Sequence, residues 1–456
     1  HLHIQLKKAA AYAHEHGVVL KGDIPIGVNR NSVDTWVSPE LFHMHMQAGA
    51  PPDMFAVKGQ NWELPTYNWE MIKRTGFDWW KKRFAQMSNY FDTFRIDHIL
   101  GFFRIWQIPI HQVEGIMGHL YPSTPIHVNE FSEKGLWFDY NRFCKPYITD
   151  SVLWDLFGDD ASWVKANCLQ IEDGWVLRLK TQYLSQLNIE KMFEEGKISE
   201  RIKWGLFDLI SNVLFFELEG SNGTQFYPRY GMEGLRTFHD LDDYTKNKLR
   251  ELYVDYFYRR QDAYWYQSGM EKLPALKRAT NMLICGEDLG MMTQCVTSVM
   301  NELGILSLEV QRAPKSDKIE FFHPADAPYL SVVTPSTHDM STVRGWWEED
   351  RGVTQRFYNS QLGHRGDAPY FCEWWICRDI LLQHLYSPAM WAIFQMQDLL
   401  SISETIRREN PHDERINVPS NSKYSWRFRL HFNMEDLIEN ESFNNELKNY
   451  ITQSGR

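Results

Sequence analysis

Six times along the chain a short apolar run breaks off on charged or amide side chains, and this repeat limits the available folds more than any other feature. Residues 18–20 lead to Asp23. Phe91, Phe94 and Ile96 give way to Arg95, Asp97 and His98, and residues 282–285 end on Glu287 and Asp288. "ILSLEVQR" ends on Gln311 and Arg312, residues 329–333 lead to His338 and Asp339, and "MWAIFQMQDLL" ends on Gln397 and Asp398. Short continuous apolar runs read as strands covered on both faces, the parallel-sheet pattern. Amphipathic stretches long enough for helices lie between them, among them "QLKKAAAYAHEH", "DWWKKRFAQMSNYF" and "EWWICRDILLQHL". Strand, helix, strand is the βαβ alternation of an α/β sheet or barrel. A (β/α)8 barrel keeps its catalytic groups at the C-terminal ends of its strands, and every run here becomes polar at that end. A single charged strand end is an ordinary buried ion pair, whereas several that converge are a site.

The segment 111–245 breaks the rhythm. Within it Val176, Leu179, Tyr183 and Leu187 fall at spacings of three and four, which predicts one face of a helix and a mostly helical insertion between 1–110 and 246–456. Such a stripe must bury itself, either in the insertion's own core or in self-association as a homo-oligomer or contact with glucan.

Charge narrows the partners. With a net charge of −11 and no Lys/Arg-rich face, neither nucleic acid nor an anionic membrane is an expected partner. No run of about 18 apolar residues predicts a membrane span, and no secretory leader is visible. The six cysteines, Cys144, Cys168, Cys285, Cys295, Cys372 and Cys377, form neither a C-x-x-C pair nor a zinc spacing, which suits reduced thiols in a cytoplasmic protein. His43 and His45 stand two apart without a neighbouring carboxylate or cysteine, so no metal is expected there.

The 18 Trp among 14% aromatic residues provide side chains that stack on sugar faces. Two carboxylates flanking a glycosidic bond are the minimum equipment for glycoside chemistry, and Asp97 and Glu287 are candidates, with Asp339 a third. Arg95 points to the same side of a strand as Asp97 and can keep it ionised; the apolar run before Glu287 should raise that residue's pKa, as a general acid requires.

Six blocks then carry a resemblance: "KGDIPIGVNRNSVDTWVSPELF", "GAPPDMFAVKGQNWELPTYNW", "FRIDHILGFFRIWQIP", "CGEDLG", "STHDMSTVRGWW" and "INVPSNSKYSWRFR". In this order they resemble the signature blocks of glycoside hydrolase family 77, the 4-alpha-glucanotransferases or amylomaltases. The resemblance implies a (β/α)8 TIM-type barrel and retaining double displacement, with a glucan segment passed to a sugar hydroxyl instead of water. It implies Asp97 as nucleophile, Glu287 as acid/base, and Asp339 as a transition-state stabiliser. Arg95 and His338 would be supporting polar contacts, and Asp34, Gln60 and Trp62 glucan contacts. Substrates would be maltose, maltooligosaccharides and soluble alpha-glucan, with neither metal nor organic cofactor. Gly286 and "STHDM" depart from the commoner Ala and "GTHDN" but leave the carboxylates intact.

Glu287 follows Asp97 by 190 positions (287 − 97), far more than one helix and turn, and this insertion is closest to the plant-type cytosolic disproportionating subgroup. A hydrolase of the same clan is the alternative reading, and a non-catalytic glucan-binding protein a more distant one. The six runs match the family's third to eighth strands, so two further strands are expected before His1, in a longer polypeptide.

Overall fold

The structure, a computed structural model, describes residues 1–456 apart from 54–55, 173–175, 317, 420–423 and 425. Its spine is a row of parallel strands: β1 (Lys21–Ile24), β2 (Thr93–Ile96) and β3 (Leu283–Gly286) in one sheet, then β4 (Ser307–Val310), β5 (Ser331–Thr334) and β6 (Trp391–Ala392) in another. A parallel bridge between Cys285 and Leu306 joins the two sheets, with Gly286 N donating to Leu306 O at 2.8 Å. Six parallel strands therefore lie side by side in chain order. Among the described residues β1 and β6 each pair on one side only.

Two runs differ from their sequence reading. Val18 and Val19 are exposed ahead of β1, whose buried apolar position is Ile24. Gln397 and Asp398 sit beyond β6 on the short helix Met396–Leu400, where Asp398 accepts from Val343 N at 2.9 Å. Both runs were apolar enough for a strand, but hydrogen-bonded pairing with the neighbouring strand selects the residues that enter it.

Helices along the chain include α1 (Leu2–Glu15), α2 (Asp78–Met87), α3 (Asp150–Phe157), α4 (Ala161–Cys168), α5 (Gln186–Glu194), α6 (Glu200–Ser211), α7 (Asp262–Lys277), α8 (Gln294–Leu303) and α9 (Trp374–Leu385), of which α2, α7 and α8 share the apolar core of β2 and β3. Pleating explains how β2 serves two masters: Phe94 and Ile96 point one way into the apolar core, Thr93 and Arg95 the other. Phe94 packs 4.8 Å from the ring of Phe84 on α2, and burying such a side chain contributes about 2–3 kcal/mol.

Helices α3 to α6 enclose an apolar cluster of their own, including Leu153, Phe157, Val164, Ile202, Leu206 and Phe207. Their starts follow from sequence: Thr149, Ser185 and Ser199 cap α3, α5 and α6 by accepting from Val152 N, Asn188 N and Ile202 N. The expected single helical face through 176–187 is absent. Val176–Leu179 is instead a strand paired antiparallel with Leu169–Glu172, and Tyr183 lies in a 3₁₀ turn. Leu179 and Tyr183 are buried in the lobe's own cluster, whereas Val176 and Leu187 are half-buried. The rest of 111–245 joins the main core, through Ile126, Phe131, Phe143, Leu214 and Phe238.

A four-stranded antiparallel sheet stands beside the parallel row, in the order Gln60–Asn61, Met46–Ala50, Ile105–Pro109, His119–Tyr121. No helix among the described residues is long and apolar enough to cross a membrane.

Candidate active site

The C-terminal ends of β1, β2 and β3 bring Asp23, Asp97 and Glu287 around one guanidinium. Arg95 Nη1 donates to Asp23 Oδ1 and Oδ2 at 3.1 and 2.8 Å, while its Nη2 lies 2.9 Å from Asp97 Oδ1 and 4.0 Å from Glu287 Oε2. Those last two distances hold the Asp97 and Glu287 oxygens within 6.9 Å of each other. Register makes this possible, because Asp23 is level with Arg95 on β1, and Gly286 with Ile96 on β3.

Glu287 is held on both oxygens. His98 N donates to Oε2 and Leu289 N to Oε1, each at 2.9 Å. To aim its amide there, His98 takes a left-handed backbone with φ 44°, a conformation strained for a residue with a Cβ. The Glu287 side chain is 12% exposed, and burial pushes its carboxyl up to about 7 against the pull of Arg95 and the two amides; the charge of Asp97 adds to the rise. Burial also raises Asp97, which Arg95 draws back down and the charges of Asp23 and Asp339 push up. The sequence reading gave Arg95 the upper hand at Asp97. Burial and two neighbouring carboxylates reverse that balance, although the side chain keeps 35% exposure and its ion pair. Burial, then Arg104 and Arg95, push His98 down to about 3, so its ring is neutral at physiological pH.

Asp339 follows β5 at the same end of the parallel row. Its Oδ2 is 3.2 Å from His338 Nε2, and its Oδ1 accepts from Asn417 Nδ2 at 2.7 Å. Burial raises this carboxyl, but the His338 and Asn417 contacts outweigh it and hold it below the usual range. The loop is braced from beneath by Arg312, which donates to Pro335 O, Ser336 Oγ and Ser341 O.

Of the remaining sequence-predicted contacts, Trp62 packs edge-on against His98 at 5.0 Å, and its Nε1 donates to Gln60 Oε1 at 3.0 Å. Asp34 is exposed near α2, where its carboxylate accepts from Trp79 Nε1 at 3.2 Å rather than from a group of the site. Three residues were missed. Asp23 ends an apolar run whose sequence gives it no role; Asn417 and the exposed Trp426, whose ring is 5.1 Å from His338, lie in the block "INVPSNSKYSWRFR", which follows no apolar run that would mark them. His43 and His45 face each other at 5.7 Å, and among the described residues no cluster of three or more His, Cys, Asp or Glu is placed to hold a metal ion.

This arrangement presents an ion-paired carboxylate, a carboxyl protonated near neutrality and a third carboxylate kept ionised, with aromatic rings beside them. A sequence profile of glycoside hydrolase family 77, described as 4-alpha-glucanotransferase, matches residues 1–435. The chain is 42% identical over 470 residues to 4-alpha-glucanotransferase DPE2 of Oryza sativa subsp. japonica, covering 100% of this chain and 49% of that protein. It is 24% identical over 451 residues to the 4-alpha-glucanotransferase of Chlamydia pneumoniae, covering 98% and 58%. Among solved structures it resembles the amylomaltase of Streptococcus agalactiae in complex with acarbose, with a TM-score of 0.57 and 18% identity over 99% of this chain and 60% of that one. It also resembles the amylomaltase of Corynebacterium glutamicum, with a TM-score of 0.51 and 14% identity over 99% and 48%. The chain spans about half the length of the curated relatives it matches. The extent of the profile match and the identity to the rice protein establish that this chain belongs to glycoside hydrolase family 77, the 4-alpha-glucanotransferases.

Proposed function

We propose that this chain carries the catalytic centre of a retaining 4-alpha-glucanotransferase that takes glucosyl or alpha-1,4-glucan units from maltose or maltooligosaccharides and passes them to a glucan acceptor. The observation that carries the reading is the pair Asp97 and Glu287 on one guanidinium. Two of their oxygens lie no more than 6.9 Å apart, a bound that admits the carboxyl spacing of about 5–5.5 Å a retaining enzyme needs, and of the two only Glu287 is raised to about 7. On this reading residues 1–110 and 246–456 are parts of a (β/α)8 TIM-type barrel to which the six parallel strands belong, and 111–245 is an insertion. The free cysteines fit a reducing compartment such as the cytoplasm.

The chemistry follows from the two protonation states. Asp97 attacks the anomeric carbon as the glycosidic C–O bond breaks, and the departing 4-oxygen takes the proton of Glu287. Glu287, now a carboxylate, removes a proton from the acceptor's 4-hydroxyl, whose oxygen displaces Asp97 and restores the configuration. Asp339 stays ionised and stabilises positive charge at the anomeric centre. Trp62 and Trp426 supply ring faces for sugars on either side, which favours a glucan acceptor over water.

The test is to incubate the whole protein with maltose, with and without glycogen, and to follow free glucose and chain lengths by chromatography. Transfer predicts one glucose released for each glucosyl unit added to a longer chain. Two glucose per maltose and no longer products would support the hydrolase reading instead.

A further inference from the structure

The strand carrying Gln60 is anchored from outside the site as well as from within it. Gln60 and Asn61 pair with Ala50 and Gly49. Just ahead of them Lys58 O accepts from Ile116 N at 2.8 Å. Gly59, at φ 71°, lies so close to the backbone of Gly115 that an added Cβ would sit 3.1 Å from its Cα. Lys58 Nζ reaches across to form an ion pair with Asp208 on α6 of the helical lobe. Two buried groups flank this junction: Glu114, whose Oε2 accepts from Gln186 Nε2 of α5 at 2.8 Å, and Arg229, which feels the charges of both Glu114 and Asp208. From Lys58 the path inward is short. Trp62 bonds Gln60 and packs on His98, and His98 N holds Glu287 Oε2.

We propose that the Lys58–Asp208 ion pair is the latch by which the helical lobe fixes the strand bearing Gln60 and Trp62, making Lys58 and Asp208 positioning residues for glucan recognition. The inference rests on the transferase reading for its substrate, and on geometry alone for the latch. A pair exposed on both partners contributes little to global folding, so breaking it loosens this segment without unfolding the protein. A loosened segment misplaces Trp62 and Gln60 and weakens glucan binding, while Asp97 and Glu287 keep their own contacts.

The experiment compares the whole protein with its Lys58→Met, Asp208→Asn and double variants, and with the charge-preserving Lys58→Arg and Asp208→Glu. Each neutral variant should raise KM for maltooligosaccharides about fivefold with kcat within about twofold, the double variant should be no worse than the weaker single, and the conservative pair should stay within about twofold of the parent. Hydrogen exchange of amides 58–62 should quicken in Asp208→Asn. Unchanged exchange overturns the latch whatever the activity. So does an unchanged KM, a fall in kcat alone together with a lower Tm, or single effects that multiply in the double variant. A parent protein that disproportionates no glucan overturns the transferase reading, and the exchange measurement then still judges the latch.

Discussion

Glu287 holds its proton near neutral pH because burial outweighs the two amides and the guanidinium that favour its charged form. A group that must donate in the first step is spent once it ionises, so kcat/KM should fall as pH rises through about 7, as a pH-rate profile in maltotriose will show. Glu287→Gln should abolish that alkaline limb and lower kcat by roughly a hundred- to ten-thousandfold. Given a glycosyl fluoride, which needs no protonated leaving group, the same variant should accumulate a sugar ester that mass spectrometry locates on Asp97. Asp97→Asn, unable to form that ester, should lose at least about a thousandfold in kcat while its thermal melt stays close to the parent's. Near-normal turnover in a folded Asp97→Asn protein would remove Asp97 from the role. The carboxylates were legible because each ends an apolar run, a pattern that short-range sequence carries. Asn417 was not, since its bond to Asp339 joins segments 78 positions apart and no local pattern announces such a meeting.

At the level of elements, helix and strand compete for the same apolar residues, and the segment 176–187 shows how spacing alone can mislead. Intervals of three and four also arise when a strand, a 3₁₀ turn and a helix start follow one another, which is what Val176–Leu179, Thr181–Tyr183 and Gln186–Glu194 do. The Asp173-Gly174 pair just upstream is a turn signal in the sequence and argues for a hairpin against a continuous helix. Strands β2 to β5 and helices α1, α2 and α9 were legible, since their apolar runs are long enough and their flanks polar. The hairpin gives a prediction. Leu179 is 4% exposed inside the lobe's cluster, so Leu179→Glu buries a charge without a partner and should lower stability by about 3 kcal/mol or more in denaturant titration. Leu187, only half-buried, should tolerate Glu within about 1 kcal/mol. Neither substitution should change the mass in solution, and a change in mass would restore the stripe as an interface.

Stability of the whole molecule against pH is set by buried groups far apart in the fold, and their signs differ. Glu287 is raised from 4.5 to about 7, so the folded chain keeps a proton the unfolded chain has lost; its contribution is full below pH 4.5 and gone by about pH 7. His384, buried between Ile380 O and Phe394 and pushed by burial down to about 4, acts the other way, favouring the folded state above pH 6.5 and losing that advantage as pH falls toward 4. Between pH 4.5 and 6.5 these two oppose each other at up to about 1.4 kcal/mol per pH unit each. His98, held down to about 3, and His119, pushed by burial down to about 4, act in the same direction as His384. His384→Phe, which preserves the ring contact with Phe394, should shift the slope of stability against pH downward relative to the parent in melts taken from pH 4.5 to 6.5. Above neutrality the leading group is Lys272. Its Nζ donates to Phe102 O at 2.7 Å and Ser268 Oγ at 2.6 Å and lies 4.6 Å from the Trp69 ring centroid, and burial pushes it down to about 7. The unfolded chain binds this proton up to about pH 10.5 and the folded chain releases it near 7, so the contribution of Lys272 to stability should rise with pH over that interval. Lys272→Met lowers the melting temperature through the lost bond to Phe102 O, but it also removes the titration, and the slope of Tm against pH from 7 to 10 is what separates the two effects. A parent-like slope in that variant would mean that Lys272 remains charged in the fold throughout.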